Sequence, residues 1–323
     1  MAGGPGVVRL SWTDTIHFIV QTCGKSLSHV YLNVNGNRGT RTSPLGARSF
    51  AWQGSTEPHP SIPFASHEKI RFSMLLAPLL LAGTGCAAGT YSWAACVPSS
   101  QLFGRTIRHT GDTGTVALTF DDGPNPAVTP ALLDLLDRHS VHATFFLVGA
   151  HVRACPDLAR EIAQRGHTIG NHTDTHTALP LLSRQRISDE LARCDESIRS
   201  ATGQAPRWMR PPYGFRSPLL DGIVRRRASV VMWSRLARDW KPQPTAPVIQ
   251  RLRRVRGGDI VLLHDGDHRA PGGDRRHTVE ALAHWIPRWK DAGLRMAALD
   301  EIGSIDQVRV GNSQTVEWEG RKS

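Results

Sequence analysis

The sequence is poor in cysteine and contains no C-x-x-C pair. Its five cysteines are an odd number in a chain of 323 residues, and this pattern argues against a thiolate zinc site and against a dense disulfide framework. Cys155 and Cys194 could form a pair, but neither their spacing nor the composition favours a disulfide over two buried free thiols. The cysteines therefore do not indicate where the chemistry of the protein lies.

The sequence also lacks a dense block of lysine and arginine with interleaved aromatic residues. The formal net charge is +11 but is spread along the chain, so a basic nucleic-acid binder remains only a weak alternative and we expect no nucleic-acid partner. Attraction to an anionic envelope polymer or to a membrane surface fits the same charge equally well.

Charge is absent altogether from residues 72–104. Within this stretch residues 74–97 are apolar and follow Lys69 and Arg71, and about 20 apolar residues are enough to cross a bilayer as a helix. A cleaved signal peptide competes with a retained membrane anchor, and a lipoprotein cysteine at Cys86 is a poorer third explanation. All three predict that the residues which follow are exported, either anchored in a membrane or secreted.

Residues 1–68 show no sustained hydrophobic period and are rich in residues typical of loops. Because a signal-like segment is normally N-terminal, we expect the native chain to start near Met74, with the preceding residues an over-extended reading frame. In the anchored alternative, the positive flank predicts a cytoplasmic N-terminal part. We predict an unassigned N-terminal part, an apolar segment with its linker, a folded domain and a polar tail, in the ranges 1–71, 72–104, 105–303 and 304–323.

Short β-type runs alternate with helical patterns from Arg105 onward. The predicted strands lie at 116–120, 142–148, 167–171, 208–210, 229–233, 259–264 and 295–299. The predicted helices lie at 129–139, 156–165, 183–200, 217–227, 246–256 and 277–292. This alternation over about 200 residues predicts a parallel sheet, open or closed into a barrel, with its ligand site at the carboxyl ends of the strands.

Reactive side chains end or follow the predicted strands, as this rule requires. They are Asp121, Asp122, His172, His176, Arg210, Tyr213, Asp239 and His264, and the apolar Trp240 and Leu262 lie beside them in the sequence. Each has a structural alternative, such as a turn for the two aspartates or chance spacing for the two histidines. Together, a carboxylate and two imidazoles four residues apart form a set with open positions that suits catalytic zinc.

These motifs resemble those of the polysaccharide deacetylases of carbohydrate esterase family 4, the NodB-homology domain. The resemblance runs from about Gly114 to Ile302 and rests on TFDDG, HTDTH, RPPYG, RDW and LLH in this order, with GHTIGN and DRRHTVEAL in support. It implies an irregular (β/α)7-type barrel with parallel strands that removes an N- or O-acetyl group from a sugar. In one departure, Leu236 and Ala237 stand where the fourth motif often carries an aspartate and a proline.

The resemblance implies that Asp122, His172 and His176 bind a divalent metal. Zinc is the expected ion, and cobalt, manganese and nickel accept the same ligands. Asp121 would be the general base toward the water that the metal activates, and Arg210 would hold this carboxylate ionised.

The remaining motif residues complete the reaction that the resemblance implies. The metal and the backbone N–H of Tyr213 would stabilise the oxyanion. His264, oriented by Asp239, would protonate the leaving sugar amine. Trp240 and Leu262 would form an apolar pocket for the acetyl methyl group, with a plain core role as the alternative.

The sequence therefore predicts an exported, metal-dependent hydrolase that removes N-acetyl groups from N-acetylhexosamines of a cell-envelope glycan, either peptidoglycan or a chitin-like oligosaccharide. Deacylation or deformylation of a lipid-linked sugar and an O-acetyl polysaccharide esterase are alternatives within the same fold. A glycan-binding pseudo-deacetylase is the non-enzymatic alternative. Asp121 and His264 argue against it, because binding alone needs neither a base nor an acid.

Overall fold

The computed structural model describes residues 89–225 and 227–303. The folded domain lies within residues 90–323. The predicted N-terminal part, most of the apolar segment and the predicted tail at 304–323 lie outside the described residues. Among the residues that are described, no helix combines the length and the apolarity that crossing a bilayer requires.

A parallel sheet of eight strands forms the framework of the domain. The strands are β1 (Thr115–Asp121), β2 (Thr144–Leu147), β3 (Thr168–Asn171), β4 (Trp208–Met209), β5 (Ser229–Val230), β6 (Arg235–Leu236), β7 (Ile260–His264) and β8 (Arg295–Met296). Their order across the sheet is β5-β4-β3-β2-β1-β7-β6, and β8 pairs with the beginning of β1. Because every pairing is parallel, all carboxyl ends of the strands lie on one side.

Seven α-helices lie between β1 and β8 in the described residues. They are α1 (Thr129–Arg138), α2 (Gly149–Ala154), α3 (Pro156–Gln164), α4 (Arg184–Thr202), α5 (Leu220–Val224), α6 (Thr245–Leu252) and α7 (Arg276–Asp291). The Ser183 side chain accepts a hydrogen bond from the Arg186 N–H at the start of α4, and Gly203 follows its end with a φ of 76°. Glycine takes this left-handed conformation without a Cβ clash, which stops the helix there.

The sheet is curled, and its two outer strands are close in the chain. Four residues connect the end of β5 to the start of β6, yet among the described residues these two strands do not pair with each other. Residues 107–109 lie across this opening, where Ile107 bridges Val231 and His109 bridges Asp259. The architecture is thus a curled, barrel-like sheet that is incompletely closed.

The structure contains all seven predicted strands and one more. The sequence predicts a single strand over 229–233, whereas the chain leaves the β4 edge after Val230 and pairs with β7 from Arg235 onward. A strand of two residues shows no alternation, so β6 could not be recognised. The short α2 has too few turns for a periodic pattern, and α5 is shorter than the helix predicted at 217–227.

Alternation along β1 decides which side chains enter the interior of the curled sheet. Leu118 and Phe120 belong to the main core beneath the helices, whereas Ala117 belongs to a separate interior cluster. Thr119 and Asp121 share the parity of Ala117 and therefore face the interior. The interior is thus apolar near the amino ends of the strands and becomes polar at their carboxyl ends.

The main core also contains Cys194, on the buried face of α4. Its thiol donates a hydrogen bond to the Leu147 carbonyl at 3.3 Å. Cys155 and Cys194 are both free thiols, so the disulfide that the sequence leaves open is not formed.

The start of the domain is fastened by Arg216, which is buried. Its guanidinium Nη2 donates to the carbonyls of Ala94 and Ser100, at 3.2 and 2.5 Å, and its backbone N–H donates to the Ala95 carbonyl at 2.8 Å. The last residues of the predicted apolar segment therefore lie against the domain.

Candidate active site

The register of β1 and β7 brings two predicted catalytic side chains to the same level. Asp121 is the register partner of His264, and both residues are buried. In a parallel pair, register partners lie side by side on the same face. The carboxylate and the imidazole therefore both border the interior at the carboxyl end of the sheet.

Strained backbone is concentrated in the loops around this point. Of the six described non-glycine residues with positive φ, five lie in these loops, namely Asp122, Thr173, His176, Tyr213 and Arg238. Such conformations cost of the order of 1–3 kcal/mol each and persist where the surroundings demand them. The backbone of these loops thus directs the side chains in ways that an unstrained backbone would not allow.

Asp122 is the centre of a cluster of imidazoles. Its Oδ1 lies 3.2 Å from His176 Nε2 and 3.4 Å from His172 Nε2, yet this buried oxygen has no hydrogen-bond partner in the described part of the chain. His172 Nδ1 lies 2.7 Å from the Arg210 carbonyl. Because a carbonyl only accepts, Nδ1 carries a proton, and in the neutral imidazole Nε2 turns a lone pair toward Asp122. Burial acts to lower the pKa of His172, but the charges of Asp121 and Asp122 outweigh it and raise the pKa.

This arrangement fits a divalent cation between the carboxylate and the imidazoles. Two ligand atoms that share a tetrahedral zinc ion are separated by about 3.4 Å, which agrees with the observed separations from Asp122 Oδ1 to His172 and His176. A buried, unpartnered oxygen otherwise costs about 1–3 kcal/mol. With a neutral His172, the lone pair of Nε2 and the carboxylate would also repel each other unless a positive charge lay between them.

A third imidazole, which belongs to none of the motifs, lies near the second carboxylate oxygen of Asp122. His268 Nδ1 is 3.7 Å from Asp122 Oδ2, and the candidate ligand atoms of Asp122, His176 and His268 all lie within 4.8 Å of one another. This set differs from the predicted one, in which His172 takes the place of His268. Since His172 also contacts the carboxylate, four side chains rather than three border the site. His268 follows His264 by four residues, which is also the spacing of His172 and His176, so this spacing is the sequence signal that could have pointed to it.

Asp121 is paired with a fully buried arginine. Arg210 Nη1 donates to Asp121 Oδ1 and to Thr119 Oγ1, each at 2.8 Å. Its Nε and Nη2 donate to the carbonyls of Val231 and Met232. Burial lowers the pKa of Arg210, and the charge of Asp121 opposes this effect. The arginine therefore holds one carboxylate oxygen and leaves Oδ2 facing the cluster.

His264 has a carboxylate partner. Its Nδ1 lies 2.8 Å from Asp239 Oδ1, and its backbone N–H donates to Asp239 Oδ2 at 2.9 Å. Burial acts to lower the pKa of His264, but the charge and hydrogen bond of Asp239 outweigh it and raise the pKa to about 9. The imidazole is therefore protonated at neutral pH.

The DRRHTVEAL segment holds in place the loop after β6, which contains Asp239. The sequence motifs alone did not indicate this role. Thr278 Oγ1 donates to Asp239 Oδ2 at 2.8 Å, and His277 Nε2 lies 3.0 Å from the Asp239 carbonyl. The buried Arg275 donates from Nη2 to the Trp240 carbonyl and to Asp267 Oδ2, at 2.6 and 2.9 Å. These contacts connect the loop after β6 to the start of α7 and to the loop after β7.

Of the two predicted pocket residues, Leu262 is buried and Trp240 is exposed. Leu262 precedes His264 by two residues on β7 and therefore faces the same interior. The ring centroid of Trp240 is 6.2 Å from that of His264. Leu236, one of the two residues that depart from the fourth motif, pairs in register with Leu262.

Close packing between two loops fixes the backbone of Asp122. A Cβ atom on Gly266 would lie only 2.0 Å from the Asp122 carbonyl oxygen, so no other residue fits there without movement. The neighbouring Asp265 accepts a hydrogen bond from Thr129 Oγ1 at 2.5 Å. Burial raises the pKa of Asp265 to about 7.

Residues 108–227 match the family described as polysaccharide deacetylase. A chitooligosaccharide deacetylase from Bradyrhizobium sp. (strain ANU 289) is 40% identical over 210 residues, which cover 60% of this chain and 94% of that protein. The chain belongs to the polysaccharide deacetylase family.

Other members of the polysaccharide deacetylase family are similar over the same part of the chain. A peptidoglycan-N-acetylglucosamine deacetylase from Bacillus cereus is 36% identical, over 60% of this chain and 70% of that protein. The crystal structure of the Bc1960 peptidoglycan N-acetylglucosamine deacetylase matches with a TM-score of 0.57 at 33% identity, covering 61% of this chain and 91% of that one. A family 4 carbohydrate esterase pseudoenzyme from Bacillus anthracis matches with a TM-score of 0.56 at 30% identity, covering 61% and 68%.

Proposed function

We propose that this polysaccharide deacetylase removes N-acetyl groups from N-acetylhexosamine residues of a cell-envelope glycan, either a chitin-like oligosaccharide or peptidoglycan. One observation carries the proposal. Asp121 and His264 occupy register-matched positions on β1 and β7, each with a partner of opposite charge. Amide hydrolysis needs both a base and an acid at one scissile bond. The relatives named as chitooligosaccharide and peptidoglycan deacetylases support the substrate class.

Asp122, His172 and His176 would hold the metal, and zinc is the ion that we propose. The donor set of two imidazole nitrogens and a carboxylate leaves positions open, as catalytic zinc sites do. A bound ion would supply a water molecule of lowered pKa and a Lewis acid for the acyl oxygen.

Asp121 would act as the general base. Arg210 binds its Oδ1 at 2.8 Å, so Oδ2, which lies 3.8 Å from His172 Nε2, is the oxygen that would take the proton of the attacking water. The Tyr213 backbone N–H would donate to the developing oxyanion. The left-handed conformation of Tyr213, with a φ of 60°, is the strain that accompanies this orientation.

His264 would act as the general acid toward the leaving sugar amine. Its Nδ1 is engaged by Asp239, so the proton would be delivered from Nε2. The charge and the hydrogen bond of Asp239 raise the pKa of His264, which favours the protonated imidazole that this role requires. Trp240 and Leu262 would border the acetyl methyl group and exclude water from it.

We also propose that the domain acts outside the cytoplasm. Peptidoglycan, which the name of one relative contains, lies outside the cytoplasmic membrane. The uncharged, apolar stretch at 72–104 would serve for export of the residues that follow it.

Acetate release by the full-length protein from chitooligosaccharide and from peptidoglycan tests the function. Chelation should abolish release and zinc should restore it, and Asp121→Asn should lower the rate by about 10²–10⁴-fold, the usual worth of a general base. Asp291→Asn, which alters an exposed aspartate at the end of α7, should leave the rate unchanged.

Acetate release that survives both chelation and Asp121→Asn would refute the assignment of the metal site and of Asp121 as the general base. Zinc binding without release from either glycan would exclude these substrates. Release from an O-acetylated or a lipid-linked sugar would then identify an esterase or a lipid-linked deacylase, and no release from any of them would identify a pseudoenzyme.

A further inference from the structure

His268 lies in the loop between β7 and α7 and reaches the edge of the Asp122 cluster. Its ring stacks on that of His176, with centroids 4.2 Å apart and planes inclined by 21°. The side chain is about three-quarters buried, with 24% of its surface exposed. We propose that His268 is a fourth protein ligand of the catalytic metal, an inference that rests on the proposed metal-dependent function.

The position of His268 Nδ1 suits a shared ion better than a hydrogen bond. Its distance of 3.7 Å from Asp122 Oδ2 exceeds the range of a hydrogen bond. The candidate ligand atoms of His268, His176 and Asp122 all lie within 4.8 Å of one another. His172 and His176 face Oδ1 of the same carboxylate, so imidazoles border both oxygens of Asp122.

The other nitrogen of His268 has the partner that a metal-binding histidine usually has. Nε2 lies 3.3 Å from Tyr213 Oη. When Nε2–H donates to this hydroxyl, Nδ1 keeps its lone pair and points it at the Asp122 carboxylate. Ligating histidines commonly donate their second N–H to an oxygen, which fixes the tautomer and the orientation of the ring. Tyr213 would serve as this outer partner.

A fourth protein ligand has a consequence for the ion. Four protein ligands would close a tetrahedral zinc site, whereas catalysis needs open positions. The metal should therefore be more than four-coordinate in the resting enzyme, which Co²⁺ reports through the position and intensity of its visible absorption. Removing His268 should change that absorption and weaken binding, while the three ligands predicted from the sequence remain.

Metal binding by the full-length protein, measured without substrate, tests the proposal. After removal of bound metal, zinc is titrated against a competing chelator and Co²⁺ is followed by its absorption spectrum. His268→Phe keeps an aromatic ring beside His176 but has no ligand atom. We expect it to weaken zinc affinity by about 100-fold or more, since outer-shell partners alone are worth about 10–100-fold, and to shift the Co²⁺ bands. Tyr213→Phe should weaken zinc affinity by about 10-fold for the same reason.

A control substitution on α7 shows whether the change in metal binding is specific to His268 or follows from replacing any histidine by phenylalanine. His284 packs against Trp285, and His284→Phe should leave affinity and spectrum unchanged. An affinity and a Co²⁺ spectrum in His268→Phe equal to those of the wild type would overturn the proposal and leave the Asp122, His172 and His176 set intact. If the wild-type protein bound no metal at all, the proposed function itself would be wrong. If His268→Phe does not show a native circular dichroism spectrum, His268→Ala is judged by the same criteria.

Discussion

The ion pair between Asp239 and His264 makes a quantitative prediction about proton transfer. Asp239→Asn removes the negative charge that lies 2.8 Å from His264 Nδ1 and preserves the shape of the side chain. Burial, which favours the neutral imidazole, is unchanged by this substitution. The pKa of His264 should therefore fall from about 9 toward the ordinary histidine value of about 6.5, because only the smaller contributions of Asp122 and Asp121 then oppose burial.

The size of the effect follows from the pKa of His264. A rise from 6.5 to about 9 corresponds to roughly 3 kcal/mol in favour of the imidazolium, at about 1.4 kcal/mol per pKa unit. Because the pKa is higher in the folded state, this stabilisation is complete below pH 6.5 and is lost as the pH rises through about 9. The metal-free wild-type protein should thus lose roughly 3 kcal/mol of unfolding free energy over this range, and Asp239→Asn should lose little.

Two measurements check this prediction. An NMR titration of histidine ring signals in the metal-free protein reads the pKa of His264 directly, and urea unfolding at pH 6 and at pH 10 reads the linked stability. Thr278→Val, which removes one hydrogen bond to Asp239 but keeps the charge, is the control and should leave the pKa within about one unit of 9. If His264 still titrated near pH 9 in Asp239→Asn, the reasoning from the ion pair would be refuted.

Two further substitutions test the surroundings of Asp121 and Asp122. Arg210→Met leaves the buried Asp121 carboxylate without its partner and should cost about 3–5 kcal/mol in urea unfolding, and a loss below about 1 kcal/mol, typical of surface pairs, would contradict the buried ion pair. Gly266→Ala places a Cβ 2.0 Å from the Asp122 carbonyl oxygen and should weaken zinc affinity. Gly272→Ala, where a Cβ meets nothing within 4 Å, should not, and equal affinities of the two variants would count against the close packing of these loops.

The elements that could be predicted from the sequence are those whose hydrophobic residues repeat at a regular spacing. β1, β7 and α4 are long enough for alternation or helical spacing to show, and their observed bounds lie within two residues of the predicted ones. The two-residue β6 has no such pattern. Its pairing depends on β7 being available beside it, which is a property of the assembled sheet.

The sequence by itself determined the alternation of strands and helices, the order of the motifs and the residue types at the strand ends. These features depend on hydrophobic period and on chemistry within a few residues of one another. Only the tertiary structure decided that Asp121 lies beside His264, that Arg275 donates a hydrogen bond to the Trp240 carbonyl, and that His268 approaches Asp122. Each of these contacts joins loops or strands that are distant in the chain, so it follows from strand order and register, which no local pattern specifies.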